Sequence, residues 1–398
     1  LDISGLLPLS TIREVSQSHA GIAASNSLSG QEKEPFDPFF EVDWSIGISA
    51  ASRVGSDPVR NSLSITPEFS LTNIGLRSQF SLGAEAALSV SDAQLIRVET
   101  IGLSYGGLYA LDALTRLNSS INIDLSQGDA SAPGVPNNVV QLPLQISARG
   151  EAGIERQFGR FGLLGSLQLE RNVQTPTLLS GNIEQDNSDR NFIGLGGNLR
   201  TSYEITPNLV GFVEGDLTRN WYDAAPVLPG IKLDGWNLGL RGGAQLNWRD
   251  VLVSEFSIGY RLRSFDDATI AQLGATIFGM DVNYTPNNAI NAGVQLSTSL
   301  TPQDLNNSRP ASIDYSAAAN VGYQLNSVFA LRGTVSGEWV RPVSGTENQT
   351  SVSAGAGADF TINKNLLLSA DYSYSWAQRQ PSDAEYEHAL ILGMRFSR

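Results

Sequence analysis

The chain has 398 residues, with 26 Lys and Arg against 40 Asp and Glu, a net charge of −14 and no cysteine. That balance argues against a nucleic-acid binder, which needs basic stripes, and the missing thiols exclude a disulfide framework and a thiolate metal site. No apolar run reaches the roughly 20 residues of a membrane helix, but a chain whose strands each turn one face to water escapes that test.

Residues 1–38 stand apart from the rest of the chain. The first residue is Leu1, as in a chain whose signal peptide has been removed. "STIREVSQSHAGIAASNSL" has an N-cap candidate at Ser10 and apolar Ile12, Val15, Ile22 and Leu28, a weak helix pattern. The segment is expected either to be disordered, to dock in the periplasm or to plug a lumen. The first two together rank above the plug. Residues 39–398 form the second unit.

From Glu41 onward the chain alternates with period two, the mark of strands with one apolar and one wet face. Strands are expected to start near Glu41, Asn61, Leu76, Leu95, Leu111, Leu142, Phe161, Asn191, Asn208, Asp234, Val251, Ile270, Ala289, Ala311, Val328, Thr350, Leu366 and Ala384. Trp236, Leu238, Leu240, Ala244, Leu246 and Trp248 oppose Asn237, Arg241, Gln245 and Asn247. Val352, Ala354, Ala356, Ala358, Phe360 and Ile362 oppose Ser351, Ser353, Gly355, Gly357, Asp359 and Thr361. The alternation is least clean between Leu95 and Tyr105.

The connections alternate as well. Tight Gly, Pro, Asn and Asp turns sit near Gly75, Gly106, Gly159, Pro207, Arg249, Pro286, Asn326 and Lys364. Between them lie longer polar stretches such as "DASAPGVPNN", "TPTLLSGNIEQDNSDR" and "YDAAPVLPGIK". Successive hairpins that open to opposite sides of one layer, with only turns on one side, match an outer-membrane barrel. The fold expected is all-β: a transmembrane, antiparallel, up-and-down barrel of about 18 strands, with 16 or 20 as the neighbouring counts. An array of secreted β-sandwich modules alternates too, but does not order its long and short turns in this way.

In a bilayer the Val, Leu, Tyr and Ala face must meet lipid, and only a closed ladder or a helix satisfies the backbone there. Trp221, Trp236, Trp339 and Trp376 fall at long-loop ends and Trp248 at a short-turn end, as aromatic girdles do. Trp44 shares their parity. The wet face then lines a lumen too wide for side chains to fill. Its charged members, the candidate pore-lining residues, are Arg77, Glu85, Arg116, Arg149, Glu151, Arg200, Glu214, Asp216, Arg241, Glu255, Arg261, Asp314, Arg332, Asp359 and Asp371. By the same parity Glu68, Asp112, Asp124, Glu155, Glu170, Glu204, Asp281, Glu338 and Arg263 also point inward. Carboxylates outnumber guanidiniums, which biases permeation toward cations. For any one residue, a charge paired across strands that only keeps the wall hydrated is the blander alternative.

Catalytic chemistry is missing. The only histidines are His19 and His388, and His388 shares parity with Leu390 and Leu392, so it faces outward. No Ser-His-acid set can be assembled, no metal or cofactor is implied, and the chain is not expected to be an enzyme. "GAGAD" and "GLGGN" have no helix after them, as a phosphate loop requires, and are read as glycines that reduce bulk on the inner wall.

The C-terminal "YEHALILGMRF" resembles the closing strand of Gram-negative outer-membrane barrels through Tyr386, Leu390, Leu392, Met394 and Phe396, with Ser397 and Arg398 beyond the usual aromatic end. "PFDPFFEVDWSIGI", "EAGIERQFGRFGLLGSLQLERNV" and "LRTSYEITPNLVGFVEGDLTRNWYD" resemble the putative β-barrel porin-2 family, from about residue 35 to the end, in strand and turn style. The resemblance implies the outer membrane of a Gram-negative bacterium and contact with its lipid. It also implies, as for some members, an exit channel for exopolysaccharide beside a periplasmic polysaccharide export protein. The reading is a porin-like channel for hydrophilic solutes, and the alternative is a structural or adhesive barrel closed by its N-terminal segment. No subunit interface stands out.

Overall fold

The computed structural model describes residues 39–56, 59–91, 97–130, 135, 138–225, 230, 232–302, 311–343, 348–379 and 383–398. The expectations for 1–38 lie outside the described residues. In chain order the elements are β1 (Phe39–Gly55), β2 (Arg60–Ile74), β3 (Ser78–Ser91), β4 (Arg97–Ala110), β5 (Thr115–Gln127), β6 (Val139–Gln141), β7 (Leu144–Phe158), β8 (Phe161–Gln174), β9 (Thr177–Leu179) and β10 (Ile183–Gln185). There follow a single 3₁₀ turn at Ser188–Arg190, β11 (Phe192–Thr206), β12 (Leu209–Tyr222), β13 (Gly235–Trp248), β14 (Leu252–Phe265), β15 (Leu273–Asn287) and β16 (Ile290–Pro302). The chain ends with β17 (Ala311–Gln324), β18 (Phe329–Pro342), β19 (Gln349–Asn363), β20 (Leu366–Arg379) and β21 (Glu385–Ser397).

Eighteen of these form one sheet in which every neighbour runs antiparallel and follows in chain order, save for the short β6, β9 and β10. The last strand returns to the first, with Ser45 opposite Ser397 and Gly55 opposite Glu387. The sheet therefore closes, and apart from an unpaired upper stretch between β15 and β16 it leaves no free edge, the condition for crossing hydrocarbon without unpaired backbone. Strands of 13 to 17 residues reach about 43 to 56 Å at 3.3 Å per residue, enough to cross a bilayer at a tilt near 40°.

One end carries short turns: 75–77, 111–114, 159–160, 207–208, 249–251, 288–289, 325–328 and 364–365. The Arg249–Asp250 turn places both residues at positive φ, 56° and 58°, and Asn247 holds it by accepting from the Asp250 amide at 3.0 Å. The turn expected near Gly106 falls instead at 111–114, because β4 continues through "SYGGL" to Ala110. There Asp112 accepts from the Leu114 amide at 2.8 Å and from Thr115 Oγ1 at 3.0 Å. The backbone bond from Leu114 holds its carboxyl below the ordinary range.

The opposite end carries the longer connections, and two of them fold together. β6, from the 128–143 connection, and β10, from the 175–191 connection, both pair with β9. Asn187 anchors this small sheet, donating to the Thr175 carbonyl at 2.7 Å and to Thr177 Oγ1 at 2.9 Å.

The two faces of the wall separate as the alternation predicts. Val42, Trp44, Ile46 and Ile48 of β1 are exposed, with Ser45 and Gly47 buried between them. The imperfect segment after Leu95 is a β-bulge: β3 and β4 slip register between Ala87 and Leu88, so Glu99 is an extra residue.

Candidate functional site: the inner wall

The inner wall is organised by arginine–carboxylate clusters. In the largest, Arg200 of β11 donates to Glu214 of β12 at 3.3 Å and to Glu255 of β14 at 2.8 Å. Arg241 of β13 reaches the other Glu214 oxygen at 2.7 Å. Asn198 also donates to Glu214, and Gln245 to Glu255, each at 2.7 Å. The Arg200 guanidinium lies 3.5 Å from the centroid of the Phe212 ring. Arg200 and Glu214 are only 6 % and 7 % exposed. Buried charge of this kind persists only when every member is paired. One step toward the loops, Arg261 donates to Asp216 at 2.9 Å.

A second cluster lies on β18–β20, where Arg332 bridges Asp359 and Asp371 at 2.9 Å each. Gly357 makes the room: a Cβ there would collide with the Asp371 carboxylate and crowd Arg332. Gly196 of "GLGGN" likewise faces Gln168 and Thr218, with no space for a methyl group. Both glycine motifs thus thin the wall where polar side chains cross it.

A third set ties the closing strands together. Arg395 of β21 reaches Glu68 of β2 across β1 at 3.3 Å, and Ser45 of β1 donates to the same carboxylate at 2.9 Å. Nearer the long loops, Glu387 pairs with Arg53 and Arg60; Asp129 then links Arg60 to Arg97, and Arg97 pairs with Glu99.

Of the other inward candidates, Arg149 is exposed and donates to Gln168 at 2.7 Å, and Glu151 lies opposite Gln168 in register. Arg116 is opposite Glu155, Glu85 is opposite Glu68, and Asp314 accepts from Ser312 at 2.7 Å. Arg77 and Asp112 are not on the wall. They lie in turns 75–77 and 111–114, because both strands begin later than their alternation suggests. Sequence reasoning passed over Arg53, Arg60, Arg97, Asp129, Glu387 and Arg395, although Arg53 and Arg395 share parity with the wet residues of their strands.

Aromatic residues mark two levels on the outer face. Toward the loops lie Trp221, Trp236, Trp339 and Trp376, and toward the turns Trp44, Trp248 and the Phe161–Tyr203 pair, 4.8 Å between centroids. The Arg219 guanidinium stands 5.6 and 5.2 Å from the Trp221 and Trp236 rings and pairs with Asp266. His388 is on this outer face, 2.7 Å from the Tyr372 hydroxyl and beside the rings of Tyr374 and Tyr386. It is therefore remote from any inward acid.

A family model described as "Putative beta-barrel porin 2" matches residues 49–398. A search of curated proteins finds no match. Among solved structures, the chain is similar to Pseudomonas aeruginosa OccK5 (OpdH), with a TM-score of 0.44 and 10 % identity over 90 % of this chain and 98 % of that one. It is similar also to Acinetobacter baumannii OccAB4, with a TM-score of 0.43 and 10 % identity over 92 % and 100 %. A structure titled "Bacterial polysaccharide outer membrane secretin" aligns with a TM-score of 0.36 and 11 % identity over 89 % and 97 %.

Proposed function

The chain belongs to the putative beta-barrel porin 2 family and is a porin-like channel of the Gram-negative outer membrane, and from that premise we propose that its lumen passes hydrophilic solutes with a preference for cations. The observation that carries this reading is the inner wall itself, rich in Ser, Asn, Gln and Gly and crossed by arginine–carboxylate clusters. Most inward guanidiniums are engaged by carboxylates, so they offer little attraction to anions. Glu151, Asp281 and Glu338 add further negative charge to the wall. Its candidate pore-lining charges are Glu85, Arg116, Arg149, Glu151, Arg200, Glu214, Asp216, Arg241, Glu255, Arg261, Asp314, Arg332, Asp359 and Asp371.

The sharper form of the proposal is exit of an exopolysaccharide delivered by a periplasmic export protein. A wall of hydroxyl, amide and largely neutralised charge suits a hydrated polymer, because most guanidiniums among the described inner-wall residues are already engaged by carboxylates. The compact turns and the chain's C-terminal end share one side, the side on which such a partner would dock.

Planar-bilayer recording tests the channel. Steady conductance with a reversal potential displaced toward the cation value is expected. Silence that ends on deleting residues 1–38 would instead support a barrel closed by its own N-terminal segment. Loss of surface polysaccharide on deleting the gene, with small-solute uptake intact, would select export over general diffusion.

A further inference from the structure

The wall is not uniformly zipped. The register between β15 and β16 runs up from the turn and ends at Gly279 opposite Ser297. Above that pair, residues 273–278 of β15 remain in register with β14, and residues 298–302 of β16 with β17. No pairing joins the two runs to each other among the described residues. The split spans about six residues of strand, roughly 20 Å at 3.4 Å per residue, on the long-loop side.

Side chains close it instead. Leu273 and Ala275 of β15 are buried in one cluster with Leu300 of β16 and Ala311 of β17, and Phe265 and Ile313 pack against it. Leu273 and Ala275 carry the inward parity of β15, being opposite Arg263 and Arg261. Leu300, Ala311 and Ile313 carry the outward parity of their strands, continuous with Leu296, Ala317 and Tyr315. An inward face can meet an outward face only where one edge slides behind the other. The upper β16–β17 edge therefore lies inside β15, and the two overlap without a hydrogen-bonded ladder. On the outer face Phe278 approaches Tyr315, with centroids 6.1 Å apart, and Tyr315 stacks on Trp339 at 5.2 Å. Thr298, opposite Tyr315 in register, is buried, and its Oγ1 has no hydrogen-bond partner.

We propose that this overlap is a lateral gate, through which a single-chain amphiphile of the fatty-acid class passes between the lumen and the outer leaflet. Contacts between apolar side chains are non-directional and reform after sliding, whereas a strand ladder must break bond by bond. Within the overlap lies the buried apolar strip Leu273, Ala275 and Ile277, in a wall that is otherwise charged or polar around Arg261 and Asp216. The outer approach is the Phe278, Tyr315 and Trp339 face. An acyl chain finds apolar surface within the overlap and on its outer face, which disfavours a sugar or an inorganic ion. The route is independent of the axial pore proposed for hydrophilic solutes.

The chain has no cysteine, so paired cysteines can lock the overlap cleanly. The test expresses Ala275→Cys with Leu300→Cys in a porin-deficient Gram-negative host and joins the pair with a short reducible bismaleimide. Uptake of the apolar fluorophore N-phenylnaphthylamine is followed, and bilayer conductance of the purified protein serves as the axial readout. The lock is expected to slow apolar uptake at least about threefold, to be reversed by cleaving the linker, and to leave conductance within about twofold. Val282→Cys with Val294→Cys, a directly opposed pair inside the zipped part, is expected to change neither. Equal uptake by locked and released protein, a parallel fall in conductance, or failure of folded protein to cross-link would each overturn the proposal. Thr298→Val, nearly isosteric, supplies a second arm: it removes the orphaned hydroxyl from the closed overlap, so apolar uptake is expected to slow with conductance unchanged. Unchanged or faster uptake would also overturn it.

Discussion

Replacing Arg200 by Met tests the idea that the inner wall is held by charge pairing rather than merely wetted by it. Arg200 contacts Glu214 at 3.3 Å and Glu255 at 2.8 Å. At an effective dielectric constant of about 20 each contact is worth about 5–6 kcal/mol before desolvation. Taking nearly buried charges out of water offsets most of that gain, and removing one partner of such a pair typically costs about 3–5 kcal/mol. Here the loss is softened: Arg241 still reaches Glu214 and Gln245 still reaches Glu255. A net loss of about 2–3 kcal/mol is therefore expected, at or just below the bottom of that range. It should appear as a lower urea midpoint for unfolding from phospholipid bilayers, followed by tryptophan fluorescence. The same variant leaves two carboxylates short of one cation, so the reversal potential should move further toward the cation value. Arg149→Ala, which removes an exposed guanidinium with a neutral partner, should stay within about 0.5 kcal/mol of the parent. If Arg200→Met proved as stable as Arg149→Ala, or shifted selectivity toward anions, the pairing argument would fail.

Gly357→Ala should cost about 1–3 kcal/mol, since the new methyl group displaces Asp371 from Arg332; the share of protein in the fast-migrating folded band on an unheated gel reports it. Glu387→Gln removes the carboxylate shared by Arg53 and Arg60 and should slow the last closing step, seen as a slower folding phase in vesicles with strand content unchanged at the end point. Asp223 and Asp266 are held below the ordinary carboxylate range chiefly by hydrogen bonds from Arg171 and Arg219. Their contribution is therefore present above that range and lost as pH falls through the lowered values. Wild type and Asp223→Asn should differ slightly in melting temperature at pH 7 and converge in strong acid, the difference being small because both pairs face solvent; divergence on acidification would contradict the assignment. Single-tryptophan variants retaining Trp221 or Trp248 should be quenched best by lipids brominated near the headgroup, whereas equal indifference to all brominated lipids would deny the girdles.

The strands and their faces were legible because period two survives nearly the whole chain, and burial of one face makes each register unambiguous. Where the reading slipped, a local backbone event was responsible. At Glu99 an extra residue enters β4, so alternation alone cannot place Leu95 to Tyr105. At Asp112 the side chain caps a turn, so a residue with inward parity ends on the rim. Arg77 fails in the same way, being the last residue before β3. The clusters on the wall were legible as a list of charges but not as partnerships. Glu214 opposite Arg241 is a direct register pair, whereas Arg200 and Glu255 meet across two intervening strands, a distance set by shear and side-chain length. The packed loops were the least legible, since "TPTLLSGNIEQDNSDR" shows turn chemistry with only Thr177–Leu179 hinting at a strand.

The split between β15 and β16 did leave a signal in the sequence. Along β16 the apolar residues keep one parity, and along β14 they do so apart from Val253 and Phe265 at its two ends. Along β15 they change sides: Leu273, Ala275 and Ile277 occupy one face, and Phe278, Met280, Val282 and Tyr284 the other. A strand facing lipid outside and water inside has no reason for that exchange, and a simple barrel wall would leave three apolar side chains in the lumen. The exchange is accounted for if the inner face of upper β15 is covered by protein, and it is covered by the β16–β17 edge. A change of apolar parity within one barrel strand, with no bulge to excuse it, therefore marks where the wall doubles over itself. Reversing it by Leu273→Ser with Ile277→Ser should leave the zipped strands intact and loosen only the overlap. Amide exchange at residues 298–301 should then rise while exchange at 290–297 stays slow. Uniform protection across β16 would show that the overlap does not depend on those two side chains.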